Sequence, residues 1–160
     1  LTRLPDVKLI IVGDGPDREA LRAQAVGLGV ADRVHFTGAI AQAELRWWYS
    51  AADALVLCSS REGWANVLLE AMACGTPVLA TRIWGTPEVV TEQAAGLLFA
   101  DRTADALADA WRELSANMPS REATRRHAER FSWADTTKGQ MDLFHAIKDA
   151  DGTQQQRSMK

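Results

Sequence analysis

Two glutamates carry the chemistry this sequence can offer. Glu62 and Glu70 are separated by seven residues within Ser59-Ser60-Arg61-Glu62-Gly63-Trp64-Ala65-Asn66-Val67-Leu68-Leu69-Glu70-Ala71-Met72-Ala73-Cys74-Gly75-Thr76-Pro77. The stretch reads as a loop, a helix start, a short helix and a stop. Asn66 is predicted to be the N-cap, its side-chain oxygen accepting from backbone N–H groups one turn on. Gly75 stands where a left-handed residue ends a helix, and Pro77 prevents continuation. Nearly every face between them is apolar, which predicts a buried helix. Glu70 alone breaks the pattern, and a carboxylate there is costly unless something pairs with it. Its partner is either a protein cation, with Arg82 and Arg61 as candidates, or a ligand; isolation on an apolar helix favours the ligand. The helix start aims free N–H groups and partial positive charge at whatever the loop faces. Such a place suits a phosphate joined to a polyhydroxyl group. Arg61 and Glu62 also admit a plainer reading, a solvated charged pair.

These residues need a frame, and the hydrophobic pattern predicts one. Val7–Val12 is read as a strand, its run Leu9-Ile10-Ile11-Val12 suited to burial on both faces of a parallel sheet. Gly13-Asp14-Gly15-Pro16 turns the chain, Asp17 caps a helix to about Leu28, and Gly29 ends it. Arg33–Thr37 is a second strand, closed by Gly38. A helix over 42–52 carries Trp47, Trp48 and Tyr49, read mainly as core. Strand Ala54–Cys58 leads into the glutamate-bearing helix, and strand Val78–Thr81 follows it. Glu88 opens a short turn, with Pro87 at its first helical position, and Gly96–Phe99 is a fifth strand. Helices over 103–116 and 120–130 come next, and a last one, capped by Ser132, runs to about Ala150. Strands alternating with helices predict an α/β fold with a doubly wound, mostly parallel Rossmann-like sheet and C-terminal helices. Such folds bind ligands beyond the carboxyl ends of their strands. Residues 1–150 read as one domain, and the polar segment 151–160 as a disordered tail.

Composition narrows the function. The 160 residues are 47% hydrophobic and 24% charged, ordinary for a globular domain. A net charge of −3 gives no basic footprint for nucleic acid. No apolar run reaches the roughly 18 residues a membrane span needs. Cys58 and Cys74 lie in apolar surroundings and are expected to pack in the core, which fits a reducing cytoplasm. The three histidines, His35, His127 and His145, lack ligand spacing, and Asp149-Ala150-Asp151 falls at a fraying helix end, so no metal site is expected. Gly13-Asp14-Gly15-Pro16-Asp17-Arg18 fails the dinucleotide-binding fingerprint, because Arg18 occupies the place of its third glycine. The second strand also lacks the acidic residue that would grip an adenosine ribose.

The string EGWANVLLEAMACGTPV resembles the E-x7-E region of retaining glycosyltransferases of the GT-B fold, GT4 type, also called group 1. The likeness covers residues 5–148 and implies the C-terminal, donor-binding half of such an enzyme. It implies Glu62 near the donor hexose as the catalytic candidate, with Gly63, Trp64, Ala65 and Asn66 around sugar and diphosphate. It also implies Val67 and Leu68 amides at phosphate and Glu70 accepting from two ribose hydroxyls. Gly13 and Gly15 would form a wall of the nucleotide pocket, and Gly38 and Ile40 would meet the base. Trp64 and Ala65 depart from the commoner E-G-F-G form, and the Cβ of Ala65 disfavours a positive φ. The implied donor is a nucleotide-diphosphate sugar, used without metal or other cofactor. The implied partner is an N-terminal acceptor-binding domain, and the first βα unit of the donor half is also expected to be missing from this chain. The full enzyme would be cytoplasmic, with peripheral membrane association open to it. Two alternatives stand beside this: a donor-binding subunit of a split glycosyltransferase, and a flavodoxin-like nucleotide-binding domain.

Overall fold

The computed structural model describes residues 1–158, with side chains for residues 1–148. The elements, in chain order, are β1 (Leu9–Val12), α1 (Arg18–Gly27), a 3-10 turn (Ala31–Arg33), β2 (Val34–Gly38) and α2 (Gln42–Ala51). Then come β3 (Leu55–Leu57), α3 (Asn66–Ala73), β4 (Val78–Thr81), α4 (Thr86–Val89), β5 (Gly96–Phe99), α5 (Ala104–Ala116), α6 (Arg121–Ala128) and α7 (Trp133–Ser158). The α/β class and the parallel pairing are as the sequence predicts. The strands form two sheets rather than one, β1-β2 and β3-β4-β5, parallel throughout.

The three-stranded sheet holds the core because both its faces are covered. Val78 and Ala80 of β4 pack on Leu68, Ala71 and Met72 of α3, with Ala128 of α6 in the same cluster. Leu79, between them, points to the other face and meets Phe99, Ala110 and Leu114. All four residues of β4 are buried, as a doubly covered parallel strand requires. β4 and β5 approach so closely at Gly96, φ +130°, that a Cβ there would lie 1.9 Å from the Val78 carbonyl oxygen. Gly75 ends α3 at φ +79°, as its position predicts, and abuts the backbone of Arg121.

Four expectations need correction. β1 is not buried on both faces: Leu9, Ile10 and Val12 are 36–43% exposed. An apolar run reports that a strand can be buried, not what covers it, and among the described residues β1 pairs with β2 alone. Cys58 is exposed, because β3 ends at Leu57 and the chain turns out of the sheet there. Pro87 is the second residue of α4, which begins at Thr86. The last helix continues to Ser158, past its predicted end, and exposes Trp133, Met141, Leu143, Phe144 and Ile147. The rest of the polar tail, residues 159 and 160, lies outside the described residues. Among the described residues, no helix is long and apolar enough to cross a membrane.

Candidate functional site

The loop beyond β3 positions Glu62 through the neighbouring strand. Thr81, on β4, donates its hydroxyl to the Ser59 carbonyl at 2.7 Å. The Ser59 hydroxyl donates in turn to Glu62 Oε1 at 2.6 Å. The half-buried carboxylate is therefore aimed by a hydroxyl tied to the sheet, and a charge-assisted bond of this kind is stronger than a neutral one. Among the described residues Glu62 makes no ion pair, with Arg61 or any other cation, so the solvated-pair reading loses its support. Ser59 is a residue that the sequence argument missed; its three-residue spacing from Glu62 was the available signal.

The loop then enters α3 without a left-handed residue, since neither Gly63 nor Ala65 has a positive φ. Ala65, at φ −79° and 4% exposed, is accommodated without strain. It is Ala65, not Asn66, that occupies the N-cap, and no side chain caps this helix. Asn66 is one residue too far along: its own N–H bonds back to the Trp64 carbonyl at 3.0 Å, and its side chain is exposed. The Leu68 amide donates to the Ala65 carbonyl at 3.0 Å, and the Leu68 side chain is fully buried. The Val67 amide has no backbone partner among the described residues, which leaves it the freest donor at the helix start. Trp64 is 47% exposed and meets the Phe131 ring edge-on at 6.1 Å.

Glu70 finds its protein partner in Tyr49 of α2, not in an arginine. The Tyr49 hydroxyl donates to Glu70 Oε2 at 3.0 Å. Burial and this bond push the phenol up to about 12, so it remains a donor at any working pH. Tyr49 is fixed from behind: the Thr76 hydroxyl donates to its carbonyl at 2.6 Å, and Arg121 binds Thr76 Oγ1 at 3.2 Å and the Ala52 carbonyl at 2.9 Å. Glu70 Oε1 makes no hydrogen bond to the protein among the described residues. One oxygen is thus oriented, and the other has no protein partner among the described residues. Tyr49 is the chain's single tyrosine, read as core from its tryptophan neighbours. The need of a half-buried phenol for a polar partner was the signal it carried.

A second corner forms where β1 and β2 end. The Gly13 N–H donates to the Gly38 carbonyl at 2.9 Å. Both sit in the left-handed half of the map, Gly13 at φ +120° and Gly38 at φ +74°, a conformation that needs glycine. Arg18 lies over Gly38, 3.6 Å from where a Cβ would be, and bonds Asp14 at 3.2 Å. Gly15 donates to the Asp14 side chain at 2.9 Å, and Ile40 is half-buried just beyond. Gly13 and Gly38 are thus brought together, as are Glu62 with Ser59 and Glu70 with Tyr49. Gly13, Ser59 and Glu62 lie past the carboxyl ends of β1 and β3, and Gly38 ends β2, the edge at which α/β folds bind ligands; Tyr49 and Glu70 stand on the helices that follow β2 and β3. A cavity of about 210 Å³ lined by Cys58, Phe99, Arg102, Thr103, Ala104 and Leu107 includes none of the candidate residues. Partial burial raises the Cys58 thiol, against the opposing charge of Arg102.

Comparison with known proteins fits this geometry. The family model for glycosyl transferases group 1 matches residues 1–131. The D-inositol 3-phosphate glycosyltransferase of Mycobacteroides abscessus is 38% identical over 156 residues, 92% of this chain and 35% of that protein. The sucrose-phosphate synthase of Thermosynechococcus elongatus superposes with a TM-score of 0.80 at 29% identity, covering 93% of this chain and 40% of that one. HepE of Anabaena, solved in complex with UDP-glucose, superposes with a TM-score of 0.74 at 25% identity, covering 89% and 42%. The chain therefore spans well under half the length of the proteins it matches. A parallel α/β fold, two oriented glutamates with seven residues between them and the family match over most of the chain lead to one conclusion: the chain belongs to the group 1 glycosyltransferases and corresponds to their C-terminal GT-B domain.

Proposed function

We propose that this chain is the donor-binding half of a retaining glycosyltransferase that moves a hexose-type sugar from a nucleotide-diphosphate sugar to a glycan or lipid-linked acceptor. The observation that carries this is the pair of half-held carboxylates. Glu70 has one oxygen fixed by Tyr49 and one without a protein partner, and Glu62 is aimed by Ser59 at the other end of the uncapped helix start. A carboxylate with a free oxygen suits ribose hydroxyls, and the helix start suits the diphosphate. Glu62 then lies on the sugar side. HepE, of the same fold, is described with UDP-glucose, which supports a donor of this class.

The protein's contribution to transfer is positioning the donor and stabilising the leaving diphosphate. No bound metal or other cofactor is part of this reading. The acceptor site of the whole enzyme belongs to its N-terminal half. The full enzyme works in the cytoplasm, at a membrane surface where its acceptor is lipid-linked.

The test is a thermal-shift and calorimetric panel of UDP, GDP, ADP, their common sugar conjugates, FMN and NAD, on wild type and Glu70→Gln. A response to one nucleotide diphosphate, weakened by about 1–3 kcal/mol in the variant, is expected if Glu70 bonds the ribose. Unchanged affinity in a folded variant rejects that role. Saturation by FMN that ignores the substitution favours a flavodoxin-like domain instead.

A further inference from the structure

The loop that follows β4 holds an outlier that the two glutamates do not explain. Trp84 has φ +40°, the one non-glycine residue with positive φ among the described residues, and it is 68% exposed. A bulky side chain in this region is strained, and exposed indole gains nothing from burial that would offset it. Such strain persists only where the surroundings over-determine the backbone.

Here they do. Thr86, 1% exposed, is the hub: its hydroxyl oxygen lies 2.7 Å from the carbonyl oxygens of both Thr81 and Ile83 and accepts from the Ile83 N–H at 3.0 Å. The Thr86 N–H closes the turn on the Ile83 carbonyl at 2.9 Å. On the other side, Gly85 is pressed against the donor loop, where a Cβ would lie 2.5 Å from the Gly63 carbonyl oxygen and 3.7 Å from Trp64 Cε3. The backbone that carries Trp84 is therefore held beside the loop that carries Glu62. Among the described residues its ring meets no other aromatic ring and no cation.

We propose that Trp84 is a stacking platform for a pyranose ring, its indole covering the apolar C–H face of the hexosyl group of a nucleotide-diphosphate sugar beside Glu62. The proposal rests on the donor-binding reading above and adds the recognition of the sugar. A hexose has hydroxyls at its rim and C–H groups across its face. A site that selects it pairs a rigid aromatic surface with a few oriented polar groups, and Trp84 and Glu62 are such a pair. The locked backbone removes the ordering cost that a free loop would impose on binding.

The experiment is calorimetric titration of the whole chain and its Trp84→Gly and Trp84→Phe variants with UDP and UDP-glucose, GDP and GDP-mannose, and methyl glucoside. Trp84→Gly is expected to lose about fivefold in affinity for the sugar conjugate while the parent diphosphate binds within about twofold of wild type; Trp84→Phe keeps most of the affinity. Glycine relieves the positive φ, so Trp84→Gly should unfold at the wild-type temperature or higher, which separates loss of contact from loss of fold. Undiminished affinity of Trp84→Gly for the conjugate overturns the platform, as does an equal loss for conjugate and diphosphate. An effect confined to methyl glucoside overturns the donor placement in favour of an acceptor sugar. Silence of wild type toward every nucleotide is a different failure and overturns the donor-binding reading itself.

Discussion

At the scale of single residues, each candidate glutamate depends on a hydroxyl. Removing the Tyr49 hydroxyl leaves Glu70 free to rotate and deletes one bond to a charged group. Tyr49→Phe is therefore expected to weaken nucleotide-diphosphate binding by about 0.5–1.5 kcal/mol, less than Glu70→Gln, measured by calorimetry. The two losses should not add, because both act on the same carboxylate. Glu62, on the sugar side, should behave differently. In an enzyme carrying both halves, Glu62→Ala is expected to lower turnover more than nucleotide-diphosphate affinity, read from steady-state kinetics beside equilibrium titration. An equal fall in both argues against the sugar side. Glu70 was legible in the sequence, since a lone acid on an apolar helix demands a partner, and Glu62 was singled out by its spacing from it. Tyr49 and Ser59 carried only weak signals: Tyr49 comes from another helix, and hydrophobic spacing says nothing of which hydroxyl reaches which carboxylate.

Elements meet through polar ties as well as through the core. His127 of α6 is 2% exposed, with Nδ1 at 2.6 Å from Glu92 Oε1 and Nε2 at 2.8 Å from the Val89 carbonyl oxygen. Arg130 adds a bond to the same Glu92 oxygen at 2.8 Å. These ties pin α6 to the end of α4 and the turn before β5. The bond with His127, with the Arg130 charge behind it, holds the Glu92 carboxyl below its ordinary value. A carboxyl with a depressed folded value stabilises the fold at pH above the ordinary carboxylate range and loses that contribution as pH falls through the folded value. Melting temperature between about pH 6 and pH 3 should therefore fall less steeply in Glu92→Gln than in wild type; parallel curves reject the tie. The existence and order of the elements were legible because alternation of strand and helix patterns is local. Their fine structure was less so. The predicted Asn66 cap fails by one residue, since the turn that closes on Trp64 and Ala65 starts the helix earlier than side-chain preference suggests.

For the whole molecule, the decisive feature is that five parallel strands form two sheets. Strand pairing is non-local, and nothing in the run Leu9-Ile10-Ile11-Val12 shows that its burial depends on neighbours other than β2. The three-stranded sheet has both faces covered, whereas β1-β2 leaves apolar side chains exposed, and a pair of strands is marginal without further packing. Amides of β1 and β2 are therefore expected to exchange with solvent through openings of lower free energy than those of β4 and α3, as native-state hydrogen exchange by NMR would show. Uniform protection across both sheets would refute this division. The open pairing edge of β1 also bears on how the protein behaves in a crowded tube. A strand edge with unpaired backbone groups is a template for another copy of itself. The net charge of −3 offers little repulsion to keep copies apart. Sheet extension through β1 is therefore the expected route of self-association at high concentration, and light scattering that stays flat as concentration rises would count against it.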